Sequence, residues 1–375
     1  MAIRFGVLAT FPPTQCGIAT FSHALVTHLE RAGEGVGVVR LVDAPQRGVP
    51  LVVHELVHGD TGAARAAAEA LNSFDVAIVQ HEYGIYGGRD GDEVLEVLSH
   101  VRVPVIAVLH TVLAAPTTHQ HHVLARLVRA ADAVVTMTQS GRQHLLAGWD
   151  VDPLKVSVIA HGAEDNRSGP PDRDPSSRPA ILTWGLLGEG KGIEWALQAM
   201  AGLTDLAAKP LYRVVGETHP RVVEREGEAY RDRLVRDVDA LDIGAIVVFD
   251  GRYLDGSTLR AIVRGADVVL LPYDSSEQVT SGVLAEAVAA GKPVVSTRFP
   301  HAVELLSGGA GLLVPQRDPD AIGAALRRLI TEPGLASVMA ASAGELATGL
   351  LWPAVAEQYV DLGHSLVRAQ QWSVA

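Results

Sequence analysis

The chain has 375 residues, with 31 Lys and Arg against 43 Asp and Glu, a formal net charge of −12, and 48% hydrophobic residues. That is about two and a half times a ~150-residue domain and enough apolar chain for buried cores, which excludes a mini-protein and a disordered chain. The acidic balance argues against coating of nucleic acid or of an anionic membrane as the main task. The single cysteine, Cys16, excludes an internal disulfide or a thiolate metal site and points to a reducing cytoplasm.

Phe5 to Ala9 is too short for a signal-peptide core, and no apolar run has the length of a membrane-spanning helix. Short apolar runs recur at Ile3–Ala9, Val76–Val79, Val103–Leu109, Ala133–Met137, Ile181–Trp184, Tyr212–Val215, Ile246–Phe249, Val268–Leu271 and Val294–Ser296. Each is followed by polar or glycine residues and then by a stretch of helical period. Continuous Val, Ile and Leu fit strands buried on both faces, and helices between them imply crossovers in parallel sheets, so the chain reads as doubly wound α/β. Residues 166–179 hold four prolines and almost nothing apolar, and form the best linker candidate. The expected division is a first α/β domain over 1–165, the linker 166–179, a second α/β domain over 180–350 and a final helix over 351–375.

In such sheets ligands sit beyond the carboxyl ends of the strands, where loops enter helices. Past Ile181–Trp184 comes Gly185 to Gly192, G-L-L-G-E-G-K-G. Gly185, Gly188 and Gly190 let backbone N–H groups approach an anion, the helix that follows adds partial positive charge, and Lys191 adds a full one. The pattern suits a phosphate or diphosphate, although a tight strand-to-helix turn with a solvated lysine would have the same sequence. Gly192 stands where a P-loop needs the Ser or Thr that holds magnesium, which disfavours a magnesium NTPase. Farther on, Ser281 is a candidate N-cap and Gly291 a helix end. Between them Glu286 is the only charge among Val283, Leu284, Ala285, Ala287, Val288, Ala289 and Ala290. A carboxylate in that setting needs a specific hydrogen-bonding partner, and ribose hydroxyls are one candidate, against the alternative of a Glu at a solvated helix surface. In the first half two strands end in histidine: one on His81, followed by Glu82 and Tyr83, the other on His110. Each could donate to a sugar hydroxyl or phosphate, or be a satisfied structural histidine. The run Thr118 to His122 has no carboxylate or thiolate spaced to complete a metal site.

At these residues the sequence resembles the retaining glycosyltransferases of family four, whose GT-B fold consists of two Rossmann-like domains facing across a cleft. The resemblance spans nearly the whole chain. G-L-L-G-E-G-K-G resembles the family's G-R-L-x-x-x-K-G, and Gln278 to Glu286 resembles its E-x7-E signature. Gln15 to Ile18, with Gly17, is similar to its N-terminal glycine loop, and Leu350 to Tyr359 to its terminal helix. P-P-T-Q-C-G-I-A-T-F, Q-H-E-Y-G-I-Y-G-G and G-E-T-H-P resemble one bacterial branch. The resemblance implies transfer of a hexose from a nucleotide diphosphate sugar, with retention and without metal or other cofactor. GDP-mannose is the favoured donor over a UDP-sugar. His110, Lys191 and Gln278 would act at the reacting centre. Gly17, Gly185, Gly188, Gly190, Lys191, Gly216, Glu217, Arg252, Gln278, Thr280, Ser281, Gly282 and Glu286 would bind the donor. His81, Glu82 and Tyr83 would bind a small-molecule, oligosaccharide or lipid acceptor. Two positions depart from the family: Leu186 stands where an arginine usually meets the diphosphate, and Gln278 where the first signature glutamate is expected, with Glu277 one residue off register.

A nicotinamide-dependent oxidoreductase would need G-x-G-x-x-G after the first strand, where Thr10 to Gly17 supplies one glycine. A nucleotide-sugar epimerase, a phosphorylase or a non-catalytic sugar-nucleotide-binding protein remain as alternatives. The basic residues Arg126, Arg129 and Arg142 are thinly spread, so membrane contact is expected to be peripheral at most.

Overall fold

The computed structural model describes residues 2–46, 48–173, 178–275 and 278–374. The chain forms two compact units, one of Met1–Gly162 with Trp352–Ala375, the other of Ala163–Leu351.

In the first unit the strands are β1 (Arg4–Ala9), β2 (Gly35–Val42), β3 (Val52–Val57), β4 (Val76–His81), β5 (Val105–Leu109), β6 (Ala133–Thr136) and β7 (Val156–Val158). They form one sheet in the order β3-β2-β1-β4-β5-β6-β7, every neighbouring pair parallel. The helices are α1 (Gly17–Arg31), α2 (Ala63–Leu71), α3 (Glu93–His100), α4 (Thr118–Ala130) and α5 (Gln139–Gly148). The strand order reverses between β1 and β4, so the loops after those strands diverge and leave a crevice at their carboxyl ends. Strands β2, β3 and β7 lie outside the runs read from the sequence. In β2 the reason is Arg40, which interrupts the apolar pattern yet is fully buried. Its Nε and Nη2 donate to Glu55 of β3 at 3.0 and 2.5 Å, and its Nη1 donates to the carbonyl of Pro12 at 2.9 Å. A buried guanidinium is tolerated because its donors are paired. It ties the loop after β1 to the sheet.

The second unit has β8 (Ala180–Trp184), α6 (Ile193–Ala201), β9 (Leu211–Val215), α7 (Pro220–Glu226), α8 (Ala229–Ala240), β10 (Val247–Asp250), α9 (Gly256–Gly265), β11 (Val268–Leu271), α10 (Gly282–Ala289), β12 (Val294–Thr297), α11 (Pro300–Leu306), β13 (Gly311–Val314), α12 (Pro319–Thr331) and α13 (Leu335–Leu350). Its parallel sheet runs β10-β9-β8-β11-β12-β13, the same order as in the first unit, with its reversal between β8 and β11. The core joins strand residues Ile181, Tyr212, Val214, Leu270 and Val295 to the apolar faces of α6, α8 and α12. Each sheet is therefore doubly wound and parallel, as the recurring apolar runs imply.

The unit borders fall at 162/163 and 351/352 rather than on either side of 166–179. The described part of that segment is strapped to the second unit. Asn166 Nδ2 donates to the Arg260 carbonyl at 3.1 Å, the Asp172 amide to the Ala261 carbonyl at 2.8 Å, and Arg173 pairs with Asp267 at 2.7 Å. Residues 174–177 lie outside the described residues. Polar composition and prolines signal the lack of regular structure, not the lack of partners. The last helix, α14 (Trp352–Val374), packs in the first unit, with Trp352, Val355, Ala356 and Tyr359 in one core with Phe5 and Phe21. Gly162 is required there, because a Cβ on it would lie 2.3 Å from the Trp352 ring.

Candidate active site

In the second unit the loop after β8 is pressed between two others. Gly185 donates to the Val215 carbonyl at 3.0 Å and Leu187 to the Glu217 carbonyl at 2.8 Å, while His219 donates back to the Leu187 carbonyl at 2.8 Å. Two glycines permit the approach. Gly216 has φ +134° and a Cβ there would sit 2.1 Å from the Gly185 oxygen; Gly192 has φ +65° and its Cβ would sit 1.9 Å from the Pro272 oxygen. Only glycine fits such positions. The Asp274 amide closes the other side by donating to the Gly190 carbonyl at 3.1 Å. Gly188 opens the turn whose carbonyl accepts from the Lys191 amide at 3.2 Å, and α6 begins directly after Gly192 without a side-chain cap. The loop thus delivers Lys191 and a helix N-terminus to the switch point of the sheet, where anions are favoured. The charge of Lys191 is felt at His219, whose imidazole is held below its ordinary range by burial first and then by Arg221, Lys191 and Arg225.

Glu286 lies on α10 beside this loop. Trp184, the residue before Gly185, donates its indole N–H to Glu286 Oε2 at 3.3 Å, and Gly185 faces Val283 of the same helix. That single hydrogen bond does not compensate for the apolar surroundings. Burial raises the carboxyl from 4.5 to about 7, opposed by the Trp184 hydrogen bond and the Arg260 charge and reinforced by Glu164. Ser281 caps α10 by accepting from the Leu284 amide at 3.2 Å, and its own amide donates to His301 Nδ1 at 2.9 Å. Gly282 begins that helix, and Gln278 and Thr280 are half-buried in the approach to it. Glu277 lies outside the described residues. Glu217 offers its carbonyl to Leu187, and Arg252 is exposed and paired with Asp250, two residues before it, at 2.7 Å. Arg231 reaches these loops, its Nη2 donating to the Gly216 carbonyl at 2.5 Å.

The switch point of the first sheet gathers histidines. His110 follows β5 and its Nε2 meets Gln80 Oε1 at 2.7 Å, while its ring stands edge-on to Phe21 at 5.0 Å. Burial, with smaller contributions from His161 and His81, lowers it to about 3. His161 and His81 are both lowered to about 4 by burial. His81 ends β4 and stands edge-on to Tyr83 at 5.0 Å. All three are neutral imidazoles at physiological pH. Glu82 accepts from the Tyr83 amide at 2.9 Å and from the Thr111 hydroxyl, and Tyr83 Oη donates to the Gln120 carbonyl at 3.4 Å. Gly17 is the first residue of α1, capped by the Cys16 Sγ that accepts from Ala19 at 3.3 Å; no atom lies within 4 Å of where its Cβ would be. His161, which follows β7, and Gln80, interior to β4, complete this cluster; Gln80 carries no sequence signal because it sits inside a buried strand. Among the described residues no group of His, Cys, Asp and Glu is arranged to hold a metal, and no helix is long and apolar enough to cross a membrane.

Both units carry the parallel doubly wound sheets of the GT-B fold. Over 97% of the chain the structure matches the Anabaena protein HepE, solved with UDP and glucose, with a TM-score of 0.76, 16% identity and all of that chain covered. Over 98% it matches sucrose-phosphate synthase of Thermosynechococcus elongatus with a TM-score of 0.78, 19% identity and all of that chain covered. In sequence, residues 178–332, which hold the glycine loop, Lys191 and Glu286, match the family described as Glycosyl transferases group 1. The chain is 28% identical over 289 residues to a D-inositol 3-phosphate glycosyltransferase of Corynebacterium glutamicum, covering 70% of this chain and 66% of that protein. It is 30% identical over 261 residues to the enzyme of that description in Kineococcus radiotolerans, covering 63% and 58%. It is 27% identical over 270 residues to a Mycobacterium tuberculosis glycogen synthase, covering 68% and 61%. The chain thus spans less than two thirds of each of these relatives.

Proposed function

We propose that the protein is a glycosyltransferase that moves a hexose from a nucleoside diphosphate sugar to an acceptor hydroxyl, with retention at the anomeric carbon. The observation that carries this reading is the Trp184 bridge, which sets the desolvated Glu286 carboxylate beside the glycine loop that presents Lys191. A diphosphate with a ribose attached needs both features side by side. Lys191, the loop amides and the start of α6 would stabilise the charge that develops on the departing diphosphate, which is differential binding of the transition state. Glu286 would accept from the ribose hydroxyls. Gln278, Thr280, Ser281 and Gly282 would contact the sugar and phosphates. In the first unit, neutral His110 would meet the transferred sugar, and the loop with His81, Glu82 and Tyr83 would take the acceptor.

Metal independence belongs to the same proposal, since Lys191 and backbone dipoles do the neutralising that a cation does elsewhere. EDTA should leave the rate unchanged, and restoration by Mg²⁺ or Mn²⁺ of an EDTA-abolished rate would count against it. Mannose from GDP-mannose is the donor that the sequence resemblance favours, while UDP and glucose are bound by HepE. Calorimetric titration with GDP and UDP in parallel distinguishes the bases. Release of nucleoside diphosphate from the matching sugar tests the activity. Binding without turnover would favour a non-catalytic sugar-nucleotide-binding protein, the reading that Leu186 and Gln278 support.

A further inference from the structure

We propose that Tyr273 is a positioning residue for Lys191, holding its ammonium over the aromatic ring so that its full positive charge stays available to a diphosphate. The inference rests on the reading of Lys191 as a diphosphate ligand. Lys191 Nζ lies 4.4 Å from the centroid of the Tyr273 ring. Among the described residues it has no carboxylate partner, and the two nearby acids are engaged elsewhere. Asp274 pairs with Arg317 at 3.3 Å, and Glu189 pairs with Arg233 at 3.5 Å. An ion pair would fix the lysine but cancel its charge. A ring face fixes it by its quadrupole and cancels nothing.

The ring is built to stay in place. Tyr273 is fully buried, its ring stacks on Phe299 at 5.3 Å, and its carbonyl accepts from the Thr297 hydroxyl at 2.5 Å. On either side of it, the Pro272 carbonyl lies against Gly192 and the Asp274 amide donates to Gly190, so the segment that carries the ring is joined to the loop that carries the lysine. Its hydroxyl has no hydrogen-bond partner among the described residues, so it is the ring face rather than the phenol that meets Lys191. With Leu186 in place of an arginine, Lys191 is the full charge this loop offers, and its placement matters correspondingly more.

The test replaces Tyr273 with Phe and then with Phe carrying one, two and three ring fluorines, which withdraw electron density from the face while nearly preserving shape. Binding of whichever of UDP or GDP the wild-type protein takes, and of the matching nucleoside monophosphate, is measured by calorimetry, with thermal unfolding followed alongside. Tyr273→Phe should bind within about twofold of wild type, and trifluorination should weaken the diphosphate about 3- to 10-fold in graded steps. Monophosphate binding should stay unchanged, and the series should be flat in a Lys191→Met background. A flat series on the wild-type lysine, with Lys191→Ala still weakening diphosphate binding, overturns the role of Tyr273 alone. A silent Lys191→Ala overturns the diphosphate reading and this inference together.

Discussion

Replacing Glu286 with Gln should make the second unit more stable at neutral and alkaline pH while impairing donor binding. Glu286 has its carboxyl raised from 4.5 to about 7, chiefly by burial. Between those pH values the folded state holds a proton that the unfolded chain has released. The associated stability is therefore fully present below pH 4.5 and is lost as pH rises through 7. At about 1.4 kcal/mol for each tenfold change in proton affinity, the loss is on the order of 3 kcal/mol. Glutamine is neutral throughout, and its amide oxygen can still accept from Trp184. Urea unfolding followed by circular dichroism should show E286Q more stable than wild type by roughly that amount at pH 8 and nearly equal at pH 4.5. Donor binding should change the other way, because ribose hydroxyls lose a charged acceptor: about 10- to 100-fold weaker at pH 8, with wild type losing affinity on acidification below 7 and E286Q not. Equal pH dependence of stability in the two proteins would refute the claim that a desolvated carboxylate sits there. Unchanged donor affinity in E286Q would refute its role toward the ribose.

The first unit should respond to pH with the opposite sign. His81, His110 and His161 are lowered by burial to about 4, 3 and 4, so the stability they contribute is present above 6.5 and lost as pH falls toward 4. In wild type the urea midpoint of that unit should drop on acidification, and His81→Phe should drop less steeply; identical slopes would count against neutral burial of His81. Gly216→Ala should cost about 1–3 kcal/mol and weaken donor binding at least tenfold, since its Cβ would meet the Gly185 oxygen at 2.1 Å. Gly17→Ala should fold with the wild-type melting temperature because nothing lies within 4 Å of that Cβ; a large loss of stability would contradict the open packing there. Arg252→Ala should leave diphosphate affinity within about twofold, since its guanidinium is exposed and held by Asp250, and a larger loss in calorimetry would return it to the site.

Continuous runs such as Val76–Val79 and Val268–Leu271 are legible in the sequence because a strand buried on both faces needs apolar residues at every position. The glycine loop and Glu286 are legible because their composition is costly without a reason: positive-φ glycines on the one hand, a lone acid on an apolar helix on the other. What the tertiary structure decided is partnership. Arg40 reads as a break in a strand until Glu55 and the Pro12 carbonyl are seen to receive it. The segment 166–173 reads as a free linker until its backbone and side chains are seen bound to α9 and Asp267. Trp184 lies 102 residues before Glu286 in the chain and Tyr273 about eighty after Lys191, and no local pattern encodes either pair. Local physics fixes where strands and loops must be, since burial and backbone conformation act residue by residue. Which charge is paired and which is left for a ligand depends on contacts between distant segments, and only the folded chain assigns them.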